Sequence, residues 1–324
     1  MTELHGMSGQ PPLVTFVLFA YNQERYVREA VKAALAQTYE PLEIVLSDDG
    51  SSDRTFEIMQ EMAAAYDGPH EVRVVRNPHN LGLIPHVLAR GREAKGELVI
   101  VAAGDDISKP ERTACLVPPF LENCNVSAVV SRVDVIDDTG EIIAENAIRP
   151  LHLGKPNIYV RPAAGENDVV QGCAAAYRKE VFSLPLPEGE LRFPEDLLFS
   201  FYINLTGREI VRVDHALVAY RSHDSALSNR SPEKRALKSS MQRTYEAART
   251  VTNMIEAFRF ISEKLGRREY VDDRSMDKDY SAYGAIVNWP GMNLSGKVTV
   301  TAKSVVSLNS KLLKWVLLRI LTKP

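Results

Sequence analysis

In the first hundred residues, apolar β-forming runs alternate with segments of helical period, and this alternation constrains the fold most. Residues 14–19 form an uninterrupted apolar run, which is typical of a strand buried on both faces of a parallel sheet. Residues 22–37 follow with apolar side chains at helical spacing. The same pattern predicts strands at 43–46, 72–75 and 97–102, and helices at 55–66 and 84–93. Short connections between such elements predict an α/β fold, with a doubly wound, mostly parallel sheet flanked by helices.

Acidic and amide residues mark the carboxyl ends of three of these predicted strands. Asn22 comes after the first strand, Asp48 and Asp49 after the second, and Asp105 and Asp106 after the fourth. Doubly wound sheets bind ligands beyond this edge, near the point where the strand order reverses. These side chains are therefore predicted to converge on one ligand site.

The predicted sheet lacks the usual sequence signatures for binding phosphate. Neither a G-x-G-x-x-G fingerprint nor a P-loop follows the first strand. Carboxylates repel phosphate, so the acids need another purpose. One acid can accept a hydrogen bond from a base or a ribose, and another can hold a divalent metal that neutralises a diphosphate.

The alternation loosens after about residue 114. A strand is predicted at 127–135, a hairpin turn at 137–140 and its partner strand at 141–144, followed by a loop at 147–162. Further elements are a short apolar stretch at 171–177, a helix at 194–204, and one long strand or a strand pair at 209–220. From 231 the composition becomes helical, with the clearest helix at 236–265. The predicted organisation is a disordered lead at 1–12, a catalytic domain at 13–230 with halves 13–113 and 114–230, and a helical region at 231–324.

The composition is that of an ordinary globular protein. Hydrophobic residues make up 45% of the 324 residues and charged residues 25%, which is enough for a core without disulfides. The formal net charge of -3 offers no field that would attract nucleic acid, so no nucleic-acid partner is expected.

The features that bear on location point to the cytoplasm. Cys115, Cys124 and Cys173 are odd in number and scattered, so buried thiols in a reducing compartment are expected. Residues 1–12 lack a basic start followed by an apolar run, so they are not expected to be a secretory signal. No segment is long and apolar enough to span a bilayer.

Short motifs along the chain occur in a fixed order. The most specific is the segment 43–55, EIVLSDDGSSDRT, and the others are FAYN at 19–22, Asn77, NLG at 80–82, KGE at 95–97, Asp105-Asp106, Gly172, PED at 194–196 and YRSH at 220–223. Over about residues 12–230, this order resembles the inverting family-2 glycosyltransferases of the GT-A fold. The resemblance implies transfer of a sugar from a nucleotide sugar, more often UDP-linked than GDP- or dTDP-linked, to an acceptor hydroxyl with inversion.

The resemblance also implies which residues bind the donor. Tyr21, Asn22 and Glu24 would line the nucleoside pocket, and Asp48 would accept a hydrogen bond from the base while Asp49 braces the same turn. Tyr21 can equally be a half-buried aromatic residue. A simple Asp-Gly turn with helix capping would explain Gly50 and Asp53, but not two successive acids.

One further donor contact and the metal site follow from the same resemblance. Arg90 would approach the diphosphate, although a solvated surface arginine fits the sequence as well. The family's D-x-D motif follows the fourth strand, and here Ala103 stands in place of its first acid. Asp105, which also contacts the donor, and Asp106 would then hold Mg²⁺ or Mn²⁺. The alternative for these acids is a tight turn.

A histidine and two acids complete the predicted site. His223 would reach back to the metal or the diphosphate, although a lone loop histidine is often structural. Asp196 would be the general base that takes the acceptor proton, with Glu195 beside it orienting or contacting the acceptor. Acids at this position would also complement a helix N-terminus, and both roles can hold at once.

The C-terminal segment 303–322 has basic residues and an apolar stripe at helical spacing. Such a helix can lie in a membrane interface, or it can dock on its own domain or on a second subunit. This segment is compatible with peripheral contact with the inner face of the membrane and with a homo-oligomer. The acceptor can be a saccharide or a lipid-linked molecule.

Two other functions remain open from sequence. A sugar nucleotidyltransferase uses a related sheet, but it needs a Gly- and Arg-rich phosphate loop that residues 19–22 do not provide. A non-catalytic nucleotide-sugar-binding protein is made plausible by Ala103. The favoured prediction is an enzyme of cell-surface polysaccharide or glycolipid synthesis.

Overall fold

The computed structural model describes residues 10–147, 159–160, 169–191, 193–223 and 240–288. Most of the predicted lead at 1–12 and the whole of the predicted basic helix at 303–322 lie outside these residues. The described chain divides into two compact units. The first contains residues 10–147, 169–184 and 207–223, and the second contains residues 159–160, 185–191, 193–206 and 240–288. The predicted domain boundaries stay predictions.

The first unit is built on one mixed sheet that contains all nine strands of the described residues. Eight of the strands lie side by side in the order β3-β2-β1-β4-β8-β6-β9-β5, and the ninth, β7, pairs with β6. The strands are β1 (Val14–Ala20), β2 (Leu42–Asp48), β3 (Glu71–Arg76), β4 (Leu98–Ala103), β5 (Ile107–Ser108), β6 (Val126–Ile136), β7 (Ile142–Ala147), β8 (Ala175–Arg178) and β9 (Glu209–Arg221).

The first four strands are parallel, as the apolar runs predict. β1 pairs in register with β2 on one side and with β4 on the other, and β2 pairs with β3. Every residue of β1 and β2 is buried. This burial on both faces explains why these strands appear in the sequence as continuous apolar runs rather than as alternating patterns.

The other half of the sheet contains both strand directions. β8 is antiparallel to both β4 and β6, and therefore joins the two halves of the sheet. β6 and β9 are parallel, with shifts in register, and β5 is antiparallel to β9. The predicted hairpin at 137–140 connects β6 to its antiparallel partner β7. The sequence left open whether 209–220 is one strand or two; it forms one long strand.

In the described ranges, six α-helices lie before residue 206 and two long helices follow it. They are α1 (Val27–Leu35), α2 (Thr55–Ala64), α3 (Leu83–Glu93), α4 (Arg112–Leu116), α5 (Pro118–Glu122), α6 (Glu195–Leu205), α7 (Ser240–Lys264) and α8 (Asp273–Asn288). No helix in the described part of the chain has the length and apolar character needed to cross a bilayer.

Helix α1 shows how the sheet acquires its apolar cover. Val27, Ala30, Val31 and Ala34 recur at helical spacing, are buried, and join the core cluster that contains β1 side chains such as Phe16. Each fully buried aliphatic or aromatic side chain contributes about 1.5–3 kcal/mol relative to an exposed one. The small alanines allow the helix to lie close to the sheet.

In the second unit, aromatic packing joins α6 and α7. The rings of Phe201 and Phe258 are stacked with centroids 3.9 Å apart, and Phe193 contacts Phe258 edge-on at 6.0 Å. These three side chains are buried. The unit therefore has an aromatic core of its own.

The cysteine expectation is wrong in one respect. None of the three residues forms a disulfide, as expected, but Cys124 is exposed, and Cys115 and Cys173 are only partly buried. Cys124 lies in the turn between α5 and β6, where the chain is at the surface.

A buried cluster of polar groups joins the amino ends of β1, β2 and β4 through hydrogen bonds. Glu43 accepts hydrogen bonds from the Thr15 hydroxyl at 2.7 Å, the Arg73 Nε at 2.8 Å and the Lys95 backbone N–H at 3.0 Å. Burial of Glu43 opposes its ionisation, but these hydrogen bonds and the Arg73 charge outweigh burial and lower the pKa of Glu43. The Gly96 N–H donates to the Thr15 hydroxyl at 2.9 Å.

Gly96→Ala tests how tightly this corner is packed. A Cβ at Gly96 would lie 2.5 Å from the Thr15 nitrogen and 2.7 Å from the Leu13 carbonyl oxygen. Because these are backbone atoms, we expect the substitution to lower the free energy of unfolding by about 1–3 kcal/mol in urea titrations. The matched control is Gly284→Ala in α8, where a Cβ meets nothing within 4 Å; it should stabilise by about 0.5–1 kcal/mol. Equal effects of the two substitutions would contradict the packing argument.

Candidate active site

The carboxyl ends of β2 and β4 lie on either side of the end of β1. Asp48 pairs in register with Ala20, and Ala103 with Phe19. The Asp49 N–H donates to the Ala20 carbonyl at 2.9 Å, and the Gly104 N–H to the Phe19 carbonyl at 2.8 Å. Neighbouring strands are about 4.8 Å apart, so the two acidic segments begin within roughly 10 Å of each other.

Asn22 ties the loop after β1 to the loop after β2. Its backbone has a positive φ of 51°, a conformation that asparagine tolerates better than most residues. The Asn22 N–H donates to the Ser51 hydroxyl at 2.9 Å, and its side-chain oxygen accepts from the Ser52 N–H at 2.8 Å. Asn22 therefore shapes this edge of the site through its side-chain oxygen.

Glu24 and Tyr21 occupy the rim of the same loop. The Glu24 carboxylate accepts from the Arg54 N–H at 3.0 Å, just before α2, and the Glu24 N–H donates to Asp53 at 3.0 Å. Tyr21 is 45% exposed. A large, solvent-exposed aromatic side chain at the strand ends is available to stack on a ligand. The ligand roles of both residues stay predictions.

Asp48 is fully buried, and its two carboxylate oxygens have different environments. Oδ2 accepts from the Ser51 N–H at 2.9 Å and lies 3.3 Å from the Arg76 Nε. Oδ1 is buried and has no hydrogen-bond partner among the residues that the structure describes. A buried acceptor without a donor costs free energy, so a ligand N–H at this position would relieve the cost.

Asp49 has a different environment, in which protein donors occupy its carboxylate. Oδ1 accepts from the Asn77 amide at 2.7 Å and from the Leu81 N–H at 2.9 Å, and Oδ2 from the Gly82 N–H at 3.1 Å. The carboxylate thereby holds the loop at 77–82 against the end of β2. Gly50, in the turn between β2 and α2, has a φ of 73°, and a Cβ there would lie 2.8 Å from the His79 carbonyl carbon in this loop.

His86, to which the sequence motifs assign no role, packs directly behind the two acids. Its Nε2 lies 2.6 Å from the Ser47 hydroxyl, and its ring meets Phe19 edge-on at 5.0 Å. Burial lowers the pKa of His86 from 6.5 to about 4, although the Asp49 charge acts in the opposite direction. The imidazole is therefore neutral at physiological pH, and its 3.9 Å approach to Asp49 is not an ion pair.

Arg90 lies one helical turn further along α3. Its Nη2 donates to Glu93 at 2.9 Å, and only 10% of its side chain is exposed. The guanidinium is therefore not a freely solvated surface group. Its approach to a diphosphate stays a prediction.

Asp105 and His223 form a direct pair. The His223 Nε2 lies 2.9 Å from Asp105 Oδ2, and both side chains are largely buried. The next acid has another partner: Asp106 accepts a hydrogen bond from the Arg221 N–H at 2.8 Å. Two residues separated by more than a hundred positions along the chain are therefore brought together at the predicted metal site.

The metal prediction can be tested against this donor set. In the part of the chain that the structure describes, no group of three or more His, Cys, Asp or Glu residues is arranged to hold an ion. Asp105 and His223 are close enough for one ion to contact both. Mg²⁺ needs only one or two protein carboxylates where substrate phosphates complete its shell, so the pair fits a metal that binds together with a diphosphate.

Tyr26, Asp138 and Arg221 surround this pair, and sequence reasoning assigned them no role. The Tyr26 hydroxyl donates to Asp138, which also pairs with Arg25. Burial, followed by the Asp138 hydrogen bond and charge, raises the pKa of Tyr26 to about 12. The sequence does show the turn at 137–140 and an arginine two residues before His223. Neither feature indicates which residues the turn or the arginine contacts in the fold.

Asp196 and Glu195 lie in the second unit, in the first turn of α6. Pro194, predicted as the first residue of this helix, precedes it as the N-cap residue. Glu195 is 9% exposed, and the Asp196 carbonyl accepts a hydrogen bond from the Ser200 hydroxyl at 2.6 Å. Carboxylates here complement the helix dipole, and the helix start holds them rigidly.

Comparison with known proteins identifies the family. The model of the family described as "Glycosyl transferase family 2" matches residues 15–184, more than half of the chain. The chain belongs to this family. An uncharacterized glycosyltransferase of Haemophilus influenzae is 25% identical over 229 residues, which cover 67% of this chain and 68% of that protein.

Solved structures confirm the GT-A fold prediction. GalNAc-T7 with UDP, GalNAc and Mn²⁺ has a TM-score of 0.55 at 20% identity, covering 76% of this chain and 49% of that one. The mannosyltransferase PcManGT from Pyrobaculum calidifontis, with GDP-Man and Mn²⁺, has a TM-score of 0.53 at 16% identity, covering 95% and 84%. At these identities the likeness shows the fold alone.

The low pKa of His86 predicts how stability depends on pH. An unfolded chain takes up a proton on this histidine near pH 6.5, whereas the folded chain does so only near pH 4. Between these values the unfolded state binds more protons, so stability falls as the pH falls. From pH 6.5 to pH 5, His86 should remove roughly 1.5 kcal/mol of unfolding free energy that His86→Gln does not lose. NMR titration of the ring with a midpoint near 6.5 would contradict this assignment.

Proposed function

We propose that this protein transfers a sugar from a UDP-sugar to an acceptor hydroxyl, with inversion and with the help of Mg²⁺ or Mn²⁺. The observation that carries the proposal is the convergence, in one unit, of Asp48 with its spare buried acceptor and the Asp105–His223 pair. The Asp48 oxygen could accept a hydrogen bond from the base of a nucleotide. The Asp105–His223 pair could hold a metal beside the diphosphate of the same nucleotide. The type of reaction, transfer of a sugar, is inferred from the family to which the chain belongs.

The donor half of the proposal assigns recognition of the base to Asp48. Its Oδ1 is a buried acceptor that needs a donor, and the N3–H of uracil is such a donor. The N–H groups of thymine and guanine could donate in the same way, so Asp48 alone does not select UDP. Tyr21, Asn22 and Glu24 would line the nucleoside side of the pocket, and Asp49 would act indirectly by holding the loop at 77–82.

The leaving-group half of the proposal rests on Asp105, Asp106 and His223. A divalent metal held there would neutralise the departing nucleoside diphosphate. Asp105 and His223 would be its protein ligands. Asp106 is proposed to support the site, since its carboxylate receives the Arg221 N–H at the end of β9. Arg90 would add positive charge near the diphosphate.

The acceptor half of the proposal assigns the general base to Asp196. The attacking hydroxyl must lose a proton, and a carboxylate mounted on the first turn of a helix is a rigid group to receive it. Glu195 would orient or contact the acceptor. For the biological role, we propose cell-surface polysaccharide or glycolipid synthesis in the cytoplasm, with a saccharide or lipid-linked acceptor.

Asp105→Asn tests the metal assignment. The substitution keeps the size of the side chain but removes its charge, so Mn²⁺ binding with UDP should weaken and turnover should fall roughly 100-fold or more. The assay uses whichever UDP-, GDP- or dTDP-sugar raises the melting temperature most. Turnover and Mn²⁺ binding by electron paramagnetic resonance are the two readouts.

Asp134→Asn is the matched control for this substitution. Asp134 has the same side-chain exposure as Asp105, 14%, but its carboxylate pairs with Lys109 at 2.9 Å. This variant should keep both metal binding and turnover. If Asp105→Asn behaves like Asp134→Asn, Asp105 is not a metal ligand and the metal-assisted mechanism must be abandoned.

Asp196→Asn tests the base. Loss of general base catalysis should lower turnover by about 10²- to 10⁴-fold, while the donor should still stabilise the protein in thermal-shift measurements. Asp277→Asn in the same unit, where the carboxylate pairs with Arg259 on the surface, is the control. Unchanged turnover in Asp196→Asn would remove Asp196 from the base role.

A second candidate function is non-catalytic binding of a nucleotide sugar. It is favoured by Ala103, which stands at the end of β4 where the family motif has an acid. The two functions separate in one experiment with the wild-type protein. Mn²⁺-dependent hydrolysis or transfer of the bound donor supports the enzyme, whereas stabilisation by the donor without turnover supports the binding protein.

A further inference from the structure

Arg221 is a buried cation beside the proposed metal site, and the reaction scheme does not use it. Only 2% of the residue is exposed, although arginine is rarely buried this completely. We propose that Arg221 is a positioning residue, which holds Asp105 and His223 in the arrangement that binds the metal and the diphosphate. The inference rests on the proposed function and adds to it a residue without which the site is misaligned.

Arg221 holds the acidic segment after β4 at two points. Its backbone N–H donates to the Asp106 carboxylate at 2.8 Å, and its Nε donates to the Asp105 carbonyl at 3.1 Å. Both contacts lie on the C-terminal side of the Asp105 Cα, where they fix the peptide group that follows it. The direction of the Asp105 side chain therefore depends on Arg221.

The same guanidinium holds the turn between β6 and β7 and the first helix. Nη1 lies 3.3 Å from both the Asp137 and the Asp138 carbonyl oxygens, and Nη2 donates to Glu29 on α1. Four acceptors from three separate segments thus meet one planar donor group. Lysine could not replace it, because an ammonium has three donors and lacks the fork geometry of a guanidinium.

The ring of Tyr26 connects Arg221 to the histidine. The Arg221 guanidinium lies 5.1 Å from the Tyr26 ring centroid, and the His223 ring lies 4.5 Å from it. The Tyr26 hydroxyl binds Asp138, whose carbonyl receives Arg221. The contacts close a loop that runs from Arg221 through Asp138, Tyr26 and His223 to Asp105 and back to Arg221.

This closed loop explains why a buried charge is retained here. The guanidinium interacts with backbone oxygens, an aromatic ring and the exposed Glu29 carboxylate, and all of these fix positions rather than react. A group that orients a metal ligand through hydrogen bonds typically affects metal affinity or activity by about 10- to 100-fold when it is changed. Arg221 meets the description of such a group on the backbone side of Asp105.

Arg221→Lys is the test. The lysine keeps the charge but cannot hold all four acceptors, so the Mn²⁺ concentration at half-saturation in the presence of UDP should rise about 10- to 100-fold. The measurement is Mn²⁺ titration followed by electron paramagnetic resonance, which does not depend on turnover. Binding of UDP without Mn²⁺ should be unchanged, because the base is recognised at the end of β2.

Arg178→Lys is the matched control. Arg178 also donates to backbone carbonyls, those of Val126 and Phe120, both at 2.7 Å, and its guanidinium lies 5.5 Å from the Phe120 ring centroid. In the described residues its side chain bonds to Val126, Phe120 and Asn123 rather than to the acidic segment, so the variant should lose stability without losing Mn²⁺ affinity. If the two lysine variants lower Mn²⁺ affinity equally, or if neither lowers it, Arg221 has only a structural role.

Failure of this inference can be told apart from failure of the proposed function. If Asp105→Asn abolishes Mn²⁺ binding while Arg221→Lys leaves it intact, the metal site stands and the positioning role is overturned. If Asp105→Asn has no effect, the metal assignment itself fails. Should Arg221→Lys not fold, Tyr26→Phe decides: it keeps the ring but releases Asp138, and it should weaken Mn²⁺ binding, whereas unchanged binding overturns the inference.

Discussion

The parallel pairing of β1 with β2 on one side and with β4 on the other is the interaction on which the rest of the structure depends. Its register sets Asp48 beside Ala20 and Ala103 beside Phe19, so two acidic segments begin at the same edge. The Glu43 cluster fastens the opposite ends of these strands. A shift of one residue in either pairing would turn side chains to the opposite face and separate the acids.

Much of the fold could be predicted because the first half encodes it locally. Strands buried on both faces leave continuous apolar runs, and the structure places β1 to β4 within two residues of the prediction at each end. The second half was harder to predict. The apolar stretch at 171–177 begins as a 3-10 turn at 172–174 and only then becomes β8, whose antiparallel direction a short apolar run does not reveal. β9 remains one strand because shifts in its register with β6 absorb its irregularity.

The acids of the candidate site were predictable from their position at strand ends, but their environments were not. Asp48 and Asp49 are adjacent and look equivalent in sequence, yet one keeps a spare oxygen and the other is fully occupied by the loop at 77–82. Arg221 shows the same limit more clearly. A charged side chain in a polar motif suggests a solvated surface, and only the packing of three distant segments around Arg221 shows that it is buried.

The wide separation of those segments along the chain has a consequence for folding. Glu29 and Arg221 are 192 positions apart, so their contact closes most of the described part of the first unit into a loop. Contacts of such high sequence separation form only after a large loss of chain entropy. A nascent chain that has emerged only as far as β5 already carries Asp48 and Asp105, but it lacks β9, which carries Arg221. We therefore expect the proposed metal site to form only when β9, the last strand in the described residues, has joined the sheet.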